Sequence, residues 1–358
     1  MQEAGQPLKV GISIGDLSGI GCEIILKTFE DSRMLELCTP VIFAAAKTIS
    51  RQKDALGIDL RFQGIGRVEQ AVEGKINVVN VWKDSPEIPM GKASPESGAF
   101  AIKSLKAAVA ALKSGAVDLL VTAPIDKKSV QSDAFKFPGH TDYLAQELEG
   151  ESLMFMVTDT LKVGLLTDHV PVSQAPSMIT PKLLEQKVVA MEKSLIQDFR
   201  IQRPRIAVLG INPHSGDEGV IGREDEDIMK PTLAKLAAAG HLVFGPYAAD
   251  TFFASGNHEK FDAVLAGYHD QGLIPFKTLA FGKGVNFTAG LSQVRTSPDH
   301  GTAYDIAGKG IADPSSFREA LFTGIRILRN RREFEALTSN PLKQQKLKRP
   351  PRKGSRKK

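Results

Sequence analysis

Three histidines in this chain each follow an apolar run and sit in a polar turn: His169 in LLTDHVPV, His214 in LGINPHSGDEG and His269 in LAGYHDQGL. A fourth, His140, sits in a similar turn, FPGHTD. Neutral imidazole is the commonest protein ligand for a divalent metal. In a parallel α/β sheet, ligands bind beyond the carboxyl ends of the strands. Three imidazoles delivered to one such edge could therefore share a metal. None has the HExxH spacing that makes a metal site readable in one segment, so the reading depends on the fold bringing them together. Asp168 precedes His169 and is placed to orient its ring. Tyr268-His269-Asp270-Gln271-Gly272 sets polar side chains side by side after an apolar strand, which is costly to bury without a use.

A second group of residues suits anions. Arg295, in LSQVRTSPDHGTA, can grip two oxygens of a carboxylate or phosphate at once. Lys277 lies eight residues beyond His269 and serves as a point charge or, with a lowered pKa, as a base. Asn286 lies in GVNFTAG. His140 and Thr141 stand at a predicted helix start, where backbone donors favour an anion; the plainer expectation is that Thr141 or Asp142 only caps that helix. Gly15-Asp16-Leu17-Ser18-Gly19-Ile20-Gly21 joins the first strand to the first helix but matches neither the GxGxxG fingerprint nor a Walker loop. No dinucleotide site can be read from a motif.

These turns need a scaffold, and the pattern supplies one. Leu8–Ile14, Val41–Ala46, Ile76–Val81, Leu119–Thr122, Leu153–Val157, Val163–Leu166, Arg205–Ile211 and Asp262–Gly267 read as buried strands. Helical patterns cover Ile20–Phe29, Ser97–Lys113, Thr180–Gln197, Asp225–Ala239 and Pro314–Asn330. Thr180 followed by Pro181 is a helix-start signature. Apolar strands alternating with helices indicate mainly parallel sheets with helices on both faces.

The 358 residues suit about two domains. No apolar run reaches the roughly 18 residues a membrane span needs, no signal peptide is evident, and two cysteines, Cys22 and Cys38, make no disulfide framework. A cytoplasmic enzyme is the expectation. The last sixteen residues carry nine Lys or Arg and no acid; without them the net charge falls from +5 to −4. This tail, 341–358 at its widest, is expected to be disordered. Binding to RNA would rest on the tail alone and would be salt-sensitive; nucleic acid is not the expected partner.

Taken together, the stretches GDLSGIGCEI, VTAPIDKKSV, FPGHTDYLA, GINPHSGDEGVIGRED, GYHDQGLIPFK and VNFTAGLSQVRTSPDHGTAYDIAGKG resemble the 4-hydroxythreonine-4-phosphate dehydrogenase family, up to about Phe317. The resemblance implies an isocitrate/isopropylmalate dehydrogenase-like fold of two α/β/α domains with an inter-domain cleft. The first domain would comprise 1–130 plus 272–340, the second 131–271. It implies a homodimer in which His169, His214 and His269 bind a divalent metal (Zn2+, Mg2+ or Co2+) shared across the interface. It places substrate contacts at His140, Thr141, Lys277, Asn286 and Arg295, and metal- and interface-supporting aspartates at Asp250 and Asp270. It further implies NAD or NADP, oxidation of 4-phosphooxy-L-threonine at C3, and decarboxylation to 3-amino-2-oxopropyl phosphate in pyridoxal 5'-phosphate synthesis. Lys277 and Asp270 are the side-chain candidates for the base, with a metal-bound hydroxide a third. Leu17, Ser18, Cys22 and Asp126 depart from the family pattern. Rival readings are a D-threonate or D-erythronate 4-phosphate dehydrogenase, with the same anion clamps, and more remotely an acyl-phosphate transferase, which would need no histidine-bound metal.

Overall fold

In the computed structural model the described residues are 7–341, except 84, 85, 134, 138 and 281. The basic tail from residue 342 onward lies outside them. Twelve strands are found among the described residues: β1 Leu8–Ser13, β2 Cys38–Ala44, β3 Phe62–Ile65, β4 Ile76–Asn80, β5 Leu119–Thr122, β6 Gly150–Val157, β7 Lys162–Leu165, β8 Ile206–Leu209, β9 Val243–Tyr247, β10 Ala263–Ala266, β11 Val285–Leu291 and β12 Arg295–Pro298. They form one sheet in the order β3-β4-β2-β1-β5-β12-β11-β6-β7-β10-β8-β9. The fold is α/β with a mostly parallel sheet, and the eight expected strands are all present. β2, β5, β8 and β10 are buried at every position, as strands covered on both faces must be.

Three successive pairings in the middle are antiparallel: β12 with β11, β11 with β6, and β6 with β7. Three reversals mean that the strands on the β1 side and the β10 side run in opposite directions. The parallel strands therefore do not share one carboxyl edge, contrary to the sequence expectation. The segments carrying His140, His169 and His269 meet instead over one face of the central strands.

β3, β9, β11 and β12 go unnoticed in the sequence because they are short, or carry polar residues, or contain Gly and Pro. The Asp225–Ala239 helix opens with a π turn over Asp225–Met229 before becoming α-helical at Lys230–Ala238. Pro181–Gln197 behaves as its start signature requires, with the Thr180 side chain accepting from the Leu183 N–H at 3.2 Å. The last helix runs past Asn330 to Thr338.

One buried ion pair ties that helix to the Pro181–Gln197 helix. Arg331 donates to both oxygens of Asp198, at 2.6 and 3.2 Å, and also to the carbonyls of Leu291 and Ser292. Ser194 donates to Asp198 as well, at 2.6 Å. Removing one partner of such a pair leaves a buried charge uncompensated. No helix among the described residues is long and apolar enough to cross a membrane.

Asp198→Ala should destabilise the fold by about 3–5 kcal/mol, seen as a lower urea midpoint at unchanged slope. Adding Arg331→Met should recover part of that loss. An unchanged midpoint in the single variant would contradict this account of the pair.

Candidate active site

The floor of the site follows from strand periodicity. Successive strand residues face opposite sides, so residues two apart share a face. In register, Asn286 of β11 faces Ser297 of β12 and Met156 of β6, and Thr288 faces Met154. Met154, Met156, Asn286, Arg295 and Ser297 all line a cleft of about 300 Å3. One wall is the β5 exit, Thr122–Ile125, with Lys127; another is the turn Asp299–Gly301. Gly139, His140 and Thr141 close it at the start of the helix His140–Glu147, and His169 enters from the turn after β7.

His269, Leu273 and Lys277 line the cleft from one helix, His269–Leu279. The sequence suggests a polar turn around His269; the structure starts a helix there, despite Gly272 and Pro275. Residues four apart share a helix face, so this spacing delivers the imidazole and the ammonium to one cavity. The helix sits close to the sheet because Gly272 has no side chain: a Cβ there would lie 2.8 Å from Leu165 and 2.9 Å from Ala266.

Arg295 dominates the electrostatics. It is 1% exposed, yet among the described residues its guanidinium donates only to hydroxyls. Thr122 Oγ1 accepts from it at 2.6 and 3.1 Å, and Thr288 Oγ1 at 3.2 Å. Burial pushes its pKa down to about 9, which still leaves it charged at neutral pH. His140 is half-buried, and its burial, followed by the Arg295 charge, holds its pKa well below the usual histidine range. It is a neutral ring, and its Nε2 has no partner among the described residues. Asn286 Oδ1 and His300 Nε2 are likewise buried without partners among the described residues. Buried polar atoms are nearly always paired, so unpaired atoms around one cleft mark the place of a ligand. Lys277 Nζ donates to the Asp299 carbonyl at 3.1 Å, and burial raises the Asp299 carboxyl above its ordinary pKa.

Two of the three expected metal histidines meet here. The His169 and His269 rings lie 5.9 Å apart, centroid to centroid, tilted by 40°. His269 Nδ1 is 2.7 Å from Asp270, and His169 Nδ1 is 3.7 Å from Asp142. Two facing imidazoles, each backed by a carboxylate, are a donor set that fits a divalent cation.

His214 is not with them. It lines a separate cavity of about 680 Å3, together with Asp250, Asp270, Phe253, Ile274 and Leu279. Its backbone is left-handed, with φ of 53°, as are Ser215, Asp217 and Glu218. Such a run of non-glycine residues is uncommon. Asp225 secures its base, accepting from the N–H groups of Ile211 and Asn212 at 2.8 and 3.0 Å.

Other expectations change. Asp168 takes the backbone N–H of His169 at 2.7 Å rather than its ring. Neither Thr141 nor Asp142 caps the helix at His140; no side chain does. Of the departures from the family pattern, Asp126 folds its own turn, accepting from the Ser129 N–H and hydroxyl at 2.8 and 2.6 Å. Leu17 and Cys22 are core residues, and burial pushes the Cys22 thiol up to about 12. The Ser18 N–H binds Asp16 at 2.8 Å. The cleft also contains Lys127, Ser297, Asp299 and His300, which sequence reasoning did not single out. The alternation from Arg295 to Ser297 was the available signal for one of them.

An α/β fold with a small, deep cleft, cationic at its floor and rimmed with imidazoles, defines an enzyme for small anionic substrates. Comparison of the whole chain gives the family: residues 36–323 match the model described as pyridoxal phosphate biosynthetic protein PdxA, and the chain belongs to that family. It is 45% identical to a 4-hydroxythreonine-4-phosphate dehydrogenase of Bacteroides thetaiotaomicron, over 94% of this chain and 93% of that one. It is 38% identical to a D-threonate 4-phosphate dehydrogenase of Cupriavidus necator, over 90% of this chain and 98% of that one. The crystal structure of a 4-hydroxythreonine-4-phosphate dehydrogenase from Klebsiella pneumoniae is similar, with a TM-score of 0.77 at 32% identity over 92% of this chain and 99% of that one.

A buried charge without a counter-ion favours binding at the expense of stability. Arg295→Met should therefore melt at the same temperature as the parent chain or higher when ligand-free, and should lose the upward shift that inorganic phosphate gives the parent. A marked drop in the ligand-free melting temperature would contradict this.

Proposed function

We propose that this chain oxidises 4-phosphooxy-L-threonine at C3 with NAD+ or NADP+ and releases 3-amino-2-oxopropyl phosphate, in the synthesis of pyridoxal 5'-phosphate. The observation that carries the reading is the buried, unpaired Arg295 on the floor of a cleft that also presents His169 and His269. Arg295, Lys277, His140, Thr141 and Asn286 hold the phosphate and carboxylate of the substrate. Their fixed donors align the C3 carbon between the two imidazoles and the open side of the cleft. When bound, a divalent cation held by His169 and His269 supplies Lewis acidity at the C3 oxygen, and the nicotinamide supplies the hydride acceptor. The C3–H leaves with its electron pair, and the hydroxyl proton leaves separately, giving a 3-oxo acid. Loss of C1 as CO2, with a proton added at C2, gives the aminoketone phosphate. Of the two side-chain base candidates, Asp270 is engaged with the His269 ring, while Lys277 faces the cleft.

The working unit is a cytoplasmic homodimer. His214 and Asp250 stand beside an apolar surface on which Ile274 is 65% and Leu279 is 55% exposed. Burying that surface against a second copy would carry each His214 toward the other copy's His169 and His269. The two halves, 1–130 plus 272–340 and 131–271, act as domains on either side of the cleft. The D-threonate 4-phosphate reading keeps every anion contact and exchanges the C2 amine for a hydroxyl. It remains a second reading because a relative of that name matches over 90% of this chain.

Reduced nicotinamide formation with 4-phosphooxy-L-threonine, D-threonate 4-phosphate and D-erythronate 4-phosphate decides among these substrates. Activity should vanish with a chelator, return with Zn2+, Mg2+ or Co2+, and be absent in His269→Ala. A folded, metal-loaded chain inactive with all three substrates would refute the proposal. If the site is shared, mixing inactive His169→Ala and His214→Ala dimers should restore up to roughly a quarter of parental activity. About half of the dimers would then be mixed, each with one intact site. No recovery after proven subunit exchange would place His214 outside the site.

A further inference from the structure

The cleft uses three consecutive residues at the start of one helix, and only two of them line the cavity. His140 and Thr141 do; Asp142 turns toward the His169 ring. Asp142 Oδ2 and His169 Nδ1 are both buried, and neither has a hydrogen-bond partner among the described residues. They lie 3.7 Å apart, too long for a bond and too close for water to stand between them. Asp168, the sequence neighbour, is occupied with the backbone of His169.

The second imidazole shows the finished form of this arrangement. His269 Nδ1 and Asp270 Oδ1 are at 2.7 Å. A carboxylate oxygen only accepts, so that bond requires the proton on Nδ1 and leaves the Nε2 lone pair for a ligand. Both rings of the facing pair thus turn Nδ1 toward a carboxylate.

From this we infer that Asp142 is the positioning residue for His169. Its carboxylate selects the Nδ1–H tautomer and holds the ring so that Nε2 faces the cation. Asp142 approaches from a different helix than the one bearing Asp270. The helix that presents His140 and Thr141 to the substrate therefore also sets the orientation of one metal ligand. The inference rests on the reading that His169 and His269 hold a divalent cation.

The test is calorimetric titration of the metal-free full-length protein with Zn2+, for the parent, Asp142→Ala, Asp142→Asn and His169→Ala. Nitrogen-15 NMR of the imidazoles before metal is added reports the tautomer. Asp142→Ala should weaken Zn2+ binding by about 10–100-fold, and His169 should lose its single Nδ1–H form. Asp142→Asn keeps an acceptor oxygen, so it should retain that tautomer and bind Zn2+ more tightly than the alanine variant. Parental affinity and an unchanged tautomer in folded Asp142→Ala would overturn the inference. So would an asparagine variant as weak as the alanine one, since the carboxylate would then act as a ligand or a bulk charge. Failure of the underlying metal reading looks different: His169→Ala itself would then bind Zn2+ like the parent.

Discussion

Arg295 carries a full charge into the middle of this sheet, and among the described residues no carboxylate pairs with it there. Two threonine hydroxyls satisfy part of its hydrogen bonding but cannot neutralise it. A guanidinium in such surroundings is expensive unless an anion arrives. Much of the site follows from that arrangement. Burial, and after it this charge, holds the His140 pKa well below the usual histidine range, and the guanidinium lies on the same floor as the Asn286 oxygen, unpartnered among the described residues. It also gives a doubly anionic substrate its strongest reason to enter. The chain can keep this costly residue because the surrounding strands are buried and tightly paired.

The reversal of strand direction through β12, β11 and β6 converts this floor into a site. With a uniformly parallel sheet, the turns after β5 and β7 would sit at a common edge, far from the strand faces. Here the central strands present polar side chains from one face, while loops from the two oppositely directed halves close over them. The cleft thereby gathers side chains from distant parts of the chain: Arg295, Ser297 and Asn286 from the central strands, and the His169 and His269 imidazoles from the turn after β7 and the helix after β10. The helix His269–Leu279 brings an imidazole and an ammonium to that cleft, His269 at its start and Lys277 near its end.

The family membership narrows the substrate to phosphorylated four-carbon hydroxy acids without choosing among them. Under the proposed function the anion contacts would be indifferent to whether C2 carries an amine or a hydroxyl, because they would grip the ends of the molecule. Discrimination must come from groups near C2 and C3, close to the imidazoles. A carboxylate engaged with a ring nitrogen, as Asp270 is, is less available to pair with an ammonium than an unengaged one would be.

The long apolar strands, the capped Pro181–Gln197 helix and the residue types suited to metal and anion chemistry are all legible in the sequence. Those features are local: periodicity, capping and side-chain charge are properties of short segments. It also contained the spacing that puts His269 and Lys277 on one helix face, although Gly272 and Pro275 obscured that helix. Only the tertiary structure decided which of these residues meet. It joined His169 to His269, left His214 in a different cavity, gave Asp168 to a backbone amide, and turned Asp142 from an expected cap into the neighbour of an imidazole. Each outcome depends on how oppositely directed strands and their turns pack across long sequence separations. Register and packing between distant segments set those distances, and no local pattern in the chain encodes them.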